Sequence, residues 1–459
     1  MASLEQEIAE WRSFVGRGAA VDGHDVEELE AHLRDQIDEL HAAGLDDEEA
    51  FLVAVKRMGR VDELSHEFAR EHRGRLWKQL VLAEGPGADA GRDDEAATAS
   101  RAWPEAVAFA VAAAVVVQIA RLVAGVPQGA GDEGDTPTWL FRNLSLFVLP
   151  VLAAWFARRR ALSHRVTVAS AGAFAAAAVL VNVYPYDQES TTEVLVATHL
   201  PVALWFVVLV AYVGGAVGSH ERRMGAVRFT GEWCIYYVLI ALGGGVLMGL
   251  TLAVLEPTGA DPDTLVAWVL PSGAAGAVVI AAWLVESKQR VVENMAPVLT
   301  LLFTPLFALM LVVAAGAYLL DGVGDFDREL VGVLDALMVV VLGLVLYGLS
   351  AREPSSRPGW MDRIQLVAVG AALVLDVLVL ASMAGRIGDL GFTANRAAAL
   401  GLNLVLLVNL AGAAWRSARF LRGHGTIHRL ERWQTAYLPV FAAWAWVVVV
   451  VLPPAFAFS

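Results

Sequence analysis

The chain has 459 residues, of which 57% are hydrophobic, and its mean hydropathy is +0.55. A soluble protein of this length needs a mostly polar surface, so this composition excludes an ordinary soluble globular protein. The formal net charge of −14 disfavours nucleic acid as a direct ligand. The single cysteine, Cys234, excludes an internal disulfide and a thiolate metal cluster.

Residues 1–83 form an acidic segment with 19 Asp/Glu against 10 Lys/Arg and a helical pattern of apolar residues. The apolar stripe of its second predicted helix consists of Val26, Leu29, Leu33, Ile37 and Leu40. The third predicted helix has Phe51, Val55 and Met58 facing inward. We expect a small cytoplasmic helical bundle here, and then a flexible acidic linker over residues 84–103, which have no apolar face.

The run ELEAHLRDQIDELHAAGLDDEEAFLVAVKRMGRVDELSHEF, residues 28–68, resembles the permease prefix domain. This domain is also described as a helix-turn-helix-associated α-helical signalling (HAAS-like) domain. The resemblance covers residues 1–80 and implies a helical signalling head on a membrane domain. It also implies a cytosolic partner, because proteins with this domain are often associated with PadR-like transcription regulators. It assigns no catalytic residue in the head.

From Pro104 to the end of the chain, apolar segments of about 20 residues recur, each long enough to cross a hydrocarbon core of about 30 Å. The sequence therefore predicts an all-α, polytopic helical membrane protein, with residues 104–459 forming a domain of about eleven transmembrane helices. The predicted spans are 105–126, 138–157, 166–184, 196–217, 231–255, 265–285, 297–320, 330–349, 364–384, 397–415 and 436–457. Glycines 243, 244, 245 and 249 in the fifth span are expected to provide close helix contacts.

Lysine and arginine are distributed unevenly between the two sets of loops. The loops 157–165, 220–228, 287–290, 351–363 and 416–432 contain 17 of them, and the alternate loops contain three. The positive-inside rule then predicts a multi-pass protein of the cell membrane with its N-terminus in the cytoplasm. After eleven crossings the C-terminus lies outside, and membrane lipid surrounds the spans.

Polar residues inside predicted spans are the main indication of a functional site, since a charge in hydrocarbon is costly unless it is paired or hydrated. Asp376 is expected about 12 Å from the outer end of the ninth span. Asp335, Asn403, Arg121 and Arg142 are also expected in the outer half of the membrane. The common depth predicts a polar cavity that opens outward and binds a ligand. The alternative is a set of ion pairs and amide hydrogen bonds that connect helices, an interpretation we favour for Asn409.

The predicted outer loop RIGDLGFTANR carries two arginines, Arg386 and Arg396. It resembles a signature in a bacterial multi-pass membrane domain of unknown function, in which an arginine, a G-[LF]-T turn and a second arginine join two late spans. Two guanidinium groups beside a glycine turn suit a phosphate or carboxylate ligand. Alternatively, both arginines anchor helix ends at the lipid headgroups.

Motifs for catalysis and cofactor binding are missing from the sequence. It contains no Walker A motif, Rossmann glycine pattern, GxSxG elbow or HExxH motif, so we expect neither an enzyme nor an ATP-driven pump, and no cofactor. His424 and His428 are spaced four residues apart without a third metal ligand nearby, and we interpret them as solvated loop histidines. His199 in the fourth span is interpreted as a hydrogen-bonded residue near a helix end.

Two functional classes are compatible with these features. One is an envelope sensor whose membrane domain detects a ligand and whose head reports to a PadR-like cytosolic regulator. The other is a transporter or lipid-handling permease with a regulatory head. The resemblance of the head favours the sensor.

Overall fold

The computed structural model describes isolated positions in the N-terminal region and most of the chain from Arg92 onward. It divides into two compact units, Met1–Asp94 and Glu95–Ser459. The described residues are 8, 30–31, 33–37, 40–41, 50, 54, 92–126, 137–187, 190–255, 262–287, 295–321, 328–350, 352 and 358–459.

The N-terminal unit is helical at each described position before residue 92. Leu33, Ile37 and Leu40 are at most 5% exposed, so the described part of the predicted apolar stripe is buried. Arg34 pairs with Glu30 one turn earlier at 3.0 Å, an arrangement that supports a helix. The other predicted core positions of this unit, Val26, Leu29, Phe51, Val55 and Met58, lie outside the described residues.

The second unit consists of helices in every described stretch. They are α1 (Arg92–Val123), α2 (Thr138–Arg159), α3 (His164–Val183), α4 (Thr191–Tyr212), α5 (His220–Leu255), α6 (Pro262–Ser287), α7 (Met295–Asp321), α8 (Arg328–Ser350), α9 (Trp360–Leu390), α10 (Ala394–Leu421), α11 (Ile427–Val450) and α12 (Leu452–Ala455). The helices α1 to α11 each contain a stretch long and apolar enough to cross a membrane. The predicted fold class, an all-α polytopic membrane protein with about eleven spans, is confirmed.

Several helices extend beyond the predicted spans. Helix α1 begins at Arg92, so the predicted linker is wrong over residues 92–103, which are helical. Residues 84–91 lie outside the described part. Acidic residues in the first turn, Asp93 to Glu95, favour this start because they complement the positive end of the helix dipole. The last helix lies earlier in the chain than the predicted span 436–457, because α11 runs from Ile427 to Val450 and the short helix α12 follows.

The spans form two helix groups, each with its own core. The first core is rich in aromatic rings, with Trp155 and Phe156 of α2 and Phe229 of α5 almost fully buried beside residues of α3, α4, α6 and α11. The second core is aliphatic and joins α7, α8, α9 and α10 through residues such as Leu311, Met338 and Leu375. Helices α10 and α4 both pack against α11, so α11 connects the two groups.

The alternating helices place their connections at two ends of the bundle. We call the end with loops 160–163, 213–219 and 422–426 the basic end, and the other the arginine-poor end. At the arginine-poor end, the Phe458 carbonyl accepts a 2.7 Å hydrogen bond from Ser190, and the Ser459 carbonyl accepts one of 3.0 Å from the Thr192 amide. The last residues therefore cover the start of α4.

Two glycines of α10 allow close packing against α11. A side chain at Gly401 would overlap the ring of Trp444, and one at Gly412 would overlap that of Trp433. The Trp433 indole also donates a 3.1 Å hydrogen bond to the Asn409 carbonyl. By contrast, glycines 243, 244, 245 and 249 have no described atom within 4 Å of an added Cβ. The expected close contact in the fifth span is therefore wrong within the described chain, and the contact occurs at α10.

We predict that Gly401→Ala destabilises the protein and that Gly243→Ala does not. The added methyl group at Gly401 must displace the Trp444 ring, and overpacking of this kind costs about 1–3 kcal/mol. At Gly243 the methyl group meets open space, and alanine is the better helix former by about 0.5–1 kcal/mol. Thermal melting of the purified protein in detergent measures both. Equal melting temperatures for the two variants would contradict the tight α10–α11 contact.

Candidate functional site

A cavity of about 390 Å³ lies near the arginine-poor end, where α4 of the first group meets α8, α9 and α10 of the second. Its lining combines apolar side chains with charged and polar ones. The lining residues are Leu195, His199, Val331, Gly332, Asp335, Met383, Arg386, Thr393, Asn395, Arg396, Ala398, Ala399 and Leu402. Of the seven residues predicted to bind a ligand, Asp335, Arg386 and Arg396 line this cavity.

Asn403 joins the same site through a hydrogen bond. Its side-chain nitrogen donates to Asp335 Oδ1 and to the Ala399 carbonyl, each at 2.9 Å. Asn403 is fully buried on α10, so it orients the Asp335 carboxylate from inside the protein. This contact links α8 to α10 at the inner side of the cavity.

Asp376 lies near the middle of the long helix α9. Helix α9 continues to Leu390, fourteen residues beyond Asp376, which places this carboxyl about 21 Å from that helix end. The side chain is fully buried, and neither carboxyl oxygen makes a hydrogen bond to a described residue. It does not line the cavity but interacts electrostatically with Asp335.

The two arginines of the predicted outer loop lie on helices. Only Gly391, Phe392 and Thr393 separate α9 from α10, so the expected loop over 386–396 is mostly helical. Gly391 ends α9 with a φ of 81°, a conformation that favours glycine. Arg396 donates a hydrogen bond to the Gly391 carbonyl across this turn. The turn thus brings Arg386 and Arg396 to the same cavity.

Arg121 lies apart from the cavity, in a polar contact between α1 and α6. Its guanidinium donates to the Ala267 carbonyl and, at 3.1 Å, to Gln118 Oε1. Gln118 in turn donates to the Trp268 carbonyl at 2.7 Å and to Ser272 at 2.8 Å. Arg121 therefore connects two helices, and the structure does not bring it together with Asp335.

Arg142 also lies apart, in a buried cluster that joins α2, α3 and α4. It forms an ion pair with Glu193 and donates to Asn182 at 3.1 Å. Its guanidinium lies 4.7 Å from the centre of the Tyr186 ring. Burial raises the pKa of the Tyr186 phenol, an effect larger than the opposing influence of Arg142. Tyr186 therefore stays neutral and presents an aromatic face to the cation.

Two partners in these contacts, Glu193 and Gln118, were not predicted from the sequence. Glu193 was placed in a loop because the predicted span began at residue 196. The motif Ser190-Thr-Thr-Glu193 is a capping-box pattern, and the Ser190 hydroxyl does accept a 3.2 Å hydrogen bond from the Glu193 amide. That pattern would have placed the start of α4 at Thr191, with Glu193 inside the helix.

Asn409 and His199, which the sequence predicts to be hydrogen-bonded, both have hydrogen-bond partners in the structure. Asn409 donates a 3.0 Å hydrogen bond to Gln434, which connects α10 to α11. His199 Nδ1 lies 2.9 Å from the Leu195 carbonyl, but the side chain also lines the cavity. Across the described residues, no three His, Cys, Asp or Glu side chains group in a way that could hold a metal ion.

Comparison with known protein families, curated proteins and solved structures finds no significant match to this chain. The site is therefore interpreted from its own geometry. Of the seven predicted residues, Asp335, Arg386 and Arg396 line the cavity, Asn403 bonds to Asp335, and Asp376 is buried without lining it. Arg121 and Arg142 form separate contacts.

We predict that Arg142→Met and Glu193→Met each destabilise the protein strongly, whereas the double variant melts closer to wild type. Removal of one partner leaves a buried charge unpaired, at a cost of about 3–5 kcal/mol, and removal of both relieves that cost. Arg158→Met is the control, since Arg158 pairs with Glu105 at 2.8 Å but its side chain is 75% exposed. Such surface pairs contribute about 0–1 kcal/mol. If Arg142→Met melted like Arg158→Met, the buried contact would not stabilise the bundle.

Proposed function

We propose that this protein is a sensor of the cell membrane. In this proposal a small ligand enters the cavity from outside, and the N-terminal head passes the signal to a PadR-like cytosolic regulator. The N-terminus lies in the cytoplasm and the C-terminus outside, as the lysine and arginine distribution between the loops favours. The observation that carries the proposal is the cavity at the arginine-poor end, in which charged residues of three helices converge.

The size and lining of the cavity support ligand binding. Its volume of about 390 Å³ falls within the range of about 300–1,000 Å³ that is typical of small-molecule sites. Its lining has seven apolar residues and six polar or charged ones, and polar groups orient a ligand in sites of this kind. A cluster used only for packing would exclude this space, since protein interiors are usually filled to close-packed density.

The charges at the cavity favour a ligand that carries a carboxylate or phosphate group. Arg386 and Arg396 come from different helices and line the same space, and guanidinium groups suit the planar or tetrahedral oxygens of these anions. Asp335 lines the same cavity, and its carboxylate accepts a hydrogen bond from Asn403. A zwitterion therefore matches the cavity, because its acidic group suits the two arginines and its basic group suits Asp335.

The head supplies the signalling half of the proposal. Residues 1–83 carry a net charge of −9 by the counts above, which is complementary to a basic protein surface and unfavourable for DNA. Their resemblance to the permease prefix domain supports a PadR-like regulator as the partner. Ligand binding at the cavity would then change how the head holds this regulator.

The second candidate is a transporter or lipid-handling permease. Asp376 supports it, because a fully buried carboxyl near the middle of a span is a common feature of ion and substrate pathways. The two candidates differ in flux: the sensor binds its ligand without moving it across the membrane. Uptake of a bound ligand into sealed vesicles that contain only this protein would identify the permease.

We predict that small anions stabilise the purified protein through Arg396. The choline salts of inorganic phosphate and of acetate and the zwitterion glycine betaine are added in turn, and choline chloride is the reference. Thermal melting is measured in detergent. A probe present at about 100 times its Kd stabilises the folded state by about 2.7 kcal/mol. Arg396→Gln should remove this effect, and Arg165→Gln, an exposed arginine of the basic end, should keep it. Stabilisation that survives in Arg396→Gln would contradict an anion site at the cavity.

We also predict that deletion of residues 1–83 releases the PadR-like regulator from the membrane and alters transcription of its target genes. The regulator should bind membranes that contain the full chain, and binding should weaken as salt rises, because salt screens the attraction to the acidic head. Arg396→Gln is the matched control, since it changes the cavity and leaves the head intact. Unchanged regulator localisation after the deletion would remove the head from the proposed signalling route.

A further inference from the structure

The inner side of the cavity has a cluster of side-chain oxygen atoms from Asp335, Asp376 and Asn403. Asp376 and Asn403 are fully buried, and Asp335 connects them to the cavity. Asp335 accepts the hydrogen bond from Asn403 and interacts electrostatically with Asp376. Three helices, α8, α9 and α10, each contribute one of these side chains.

Several of these oxygens have no hydrogen-bond donor. Both carboxyl oxygens of Asp376 and the side-chain oxygen of Asn403 make no hydrogen bond to any described residue. The Asn403 nitrogen cannot supply one, because it already donates to Asp335 and to the Ala399 carbonyl. An unsatisfied buried acceptor is costly, and an unsatisfied buried carboxylate is more so. A bound proton or metal cation would complete the cluster.

The charge of the cluster also indicates a bound proton or metal cation. Asp376 lies in the aliphatic core beside Leu375 and Val379, where two ionised carboxylates repel each other strongly. None of the other titratable groups nearby is bonded to Asp376. His199, Arg386 and Arg396 line the cavity, and Tyr318 of α7 packs against the same core. A cation between the two carboxylates would reduce their repulsion.

The ligand atoms also restrict the kind of cation. All three side chains offer oxygen, which suits hard cations and disfavours zinc or copper. Ca²⁺ takes six to eight oxygen ligands, more than these three side chains provide. We propose that Asp335, Asp376 and Asn403 form a monovalent cation site, for which Na⁺ and the proton compete. This site goes beyond the proposed sensor function and requires neither its ligand nor its regulator.

Melting of the purified full chain in NaCl and in choline chloride of equal concentration tests the site, since the two salts differ only in the cation. Na⁺ should raise the melting temperature above the choline value at alkaline pH, because a ligand that binds only the folded state stabilises it. The difference should shrink as the pH falls from about 9 to about 5, the range in which buried carboxyl groups take up protons. Infrared spectroscopy of the same samples reports a protonated carboxyl group directly.

The Na⁺ effect and the infrared band of a protonated carboxyl should both disappear in Asp376→Asn. Both should persist in Asp389→Asn, the same substitution at an exposed position of the same helix. A band without a Na⁺ effect identifies the proton as the occupant. A Na⁺ effect that survives in Asp376→Asn, or the absence of both signals in the wild type, overturns the proposal. If Asp376→Asn does not fold, Asp335→Asn and the wild-type measurements decide the question.

Discussion

The structure depends on one constraint: a polar side chain inside the hydrocarbon layer must find its partner within the protein. Arg121 meets this requirement with the Ala267 carbonyl and Gln118, and Arg142 meets it with Glu193 and Asn182. The Arg121 contact joins α1 to α6, and the Arg142 contacts join the consecutive helices α2, α3 and α4. The polar residues therefore determine which helices are neighbours, while the apolar residues fill the space between them. Asp376 is the fully buried carboxyl that this pattern leaves without a hydrogen-bond partner among the described residues.

The contacts of α10 explain why a cavity exists at one end of the bundle. Toward the basic end, Trp433 packs at Gly412 and Asn409 bonds to Gln434, so α10 and α11 are held in close contact. Toward the arginine-poor end, α10 begins after the three-residue turn at Gly391 and lines the cavity together with α4 and α8. The same helix thus packs closely against α11 along one face, at Gly401 and Gly412, and lines the cavity with other residues. A ligand in the cavity would contact residues from both helix groups.

The number of spans followed from hydropathy, because each span must cover the same thickness of hydrocarbon with apolar residues. The ends of the helices did not follow, because a helix continues into the headgroup layer after its apolar segment ends. Arg92, Glu193 and Arg386 all lie in helical turns beyond a predicted span. The partners of Arg121 and Arg142 were not predictable either, since a sequence indicates the depth of a residue but not the side of the helix that meets a particular neighbour.

Charged residues at the cavity interact with the buried cluster of Asp335, Asp376 and Asn403. Arg386 and Arg396 line it together with Asp335, which accepts a hydrogen bond from Asn403 and interacts electrostatically with Asp376. An anionic ligand at the arginines would bring negative charge closer to Asp335 and would raise the energy of two ionised carboxylates behind it. Uptake of a cation by the inner cluster lowers that energy. Anion binding at the mouth and cation binding at the cluster are therefore expected to favour each other, because thermodynamic linkage is reciprocal. In a sensor, this coupling makes the response depend on pH or Na⁺, and in a permease it would provide the ion that drives transport.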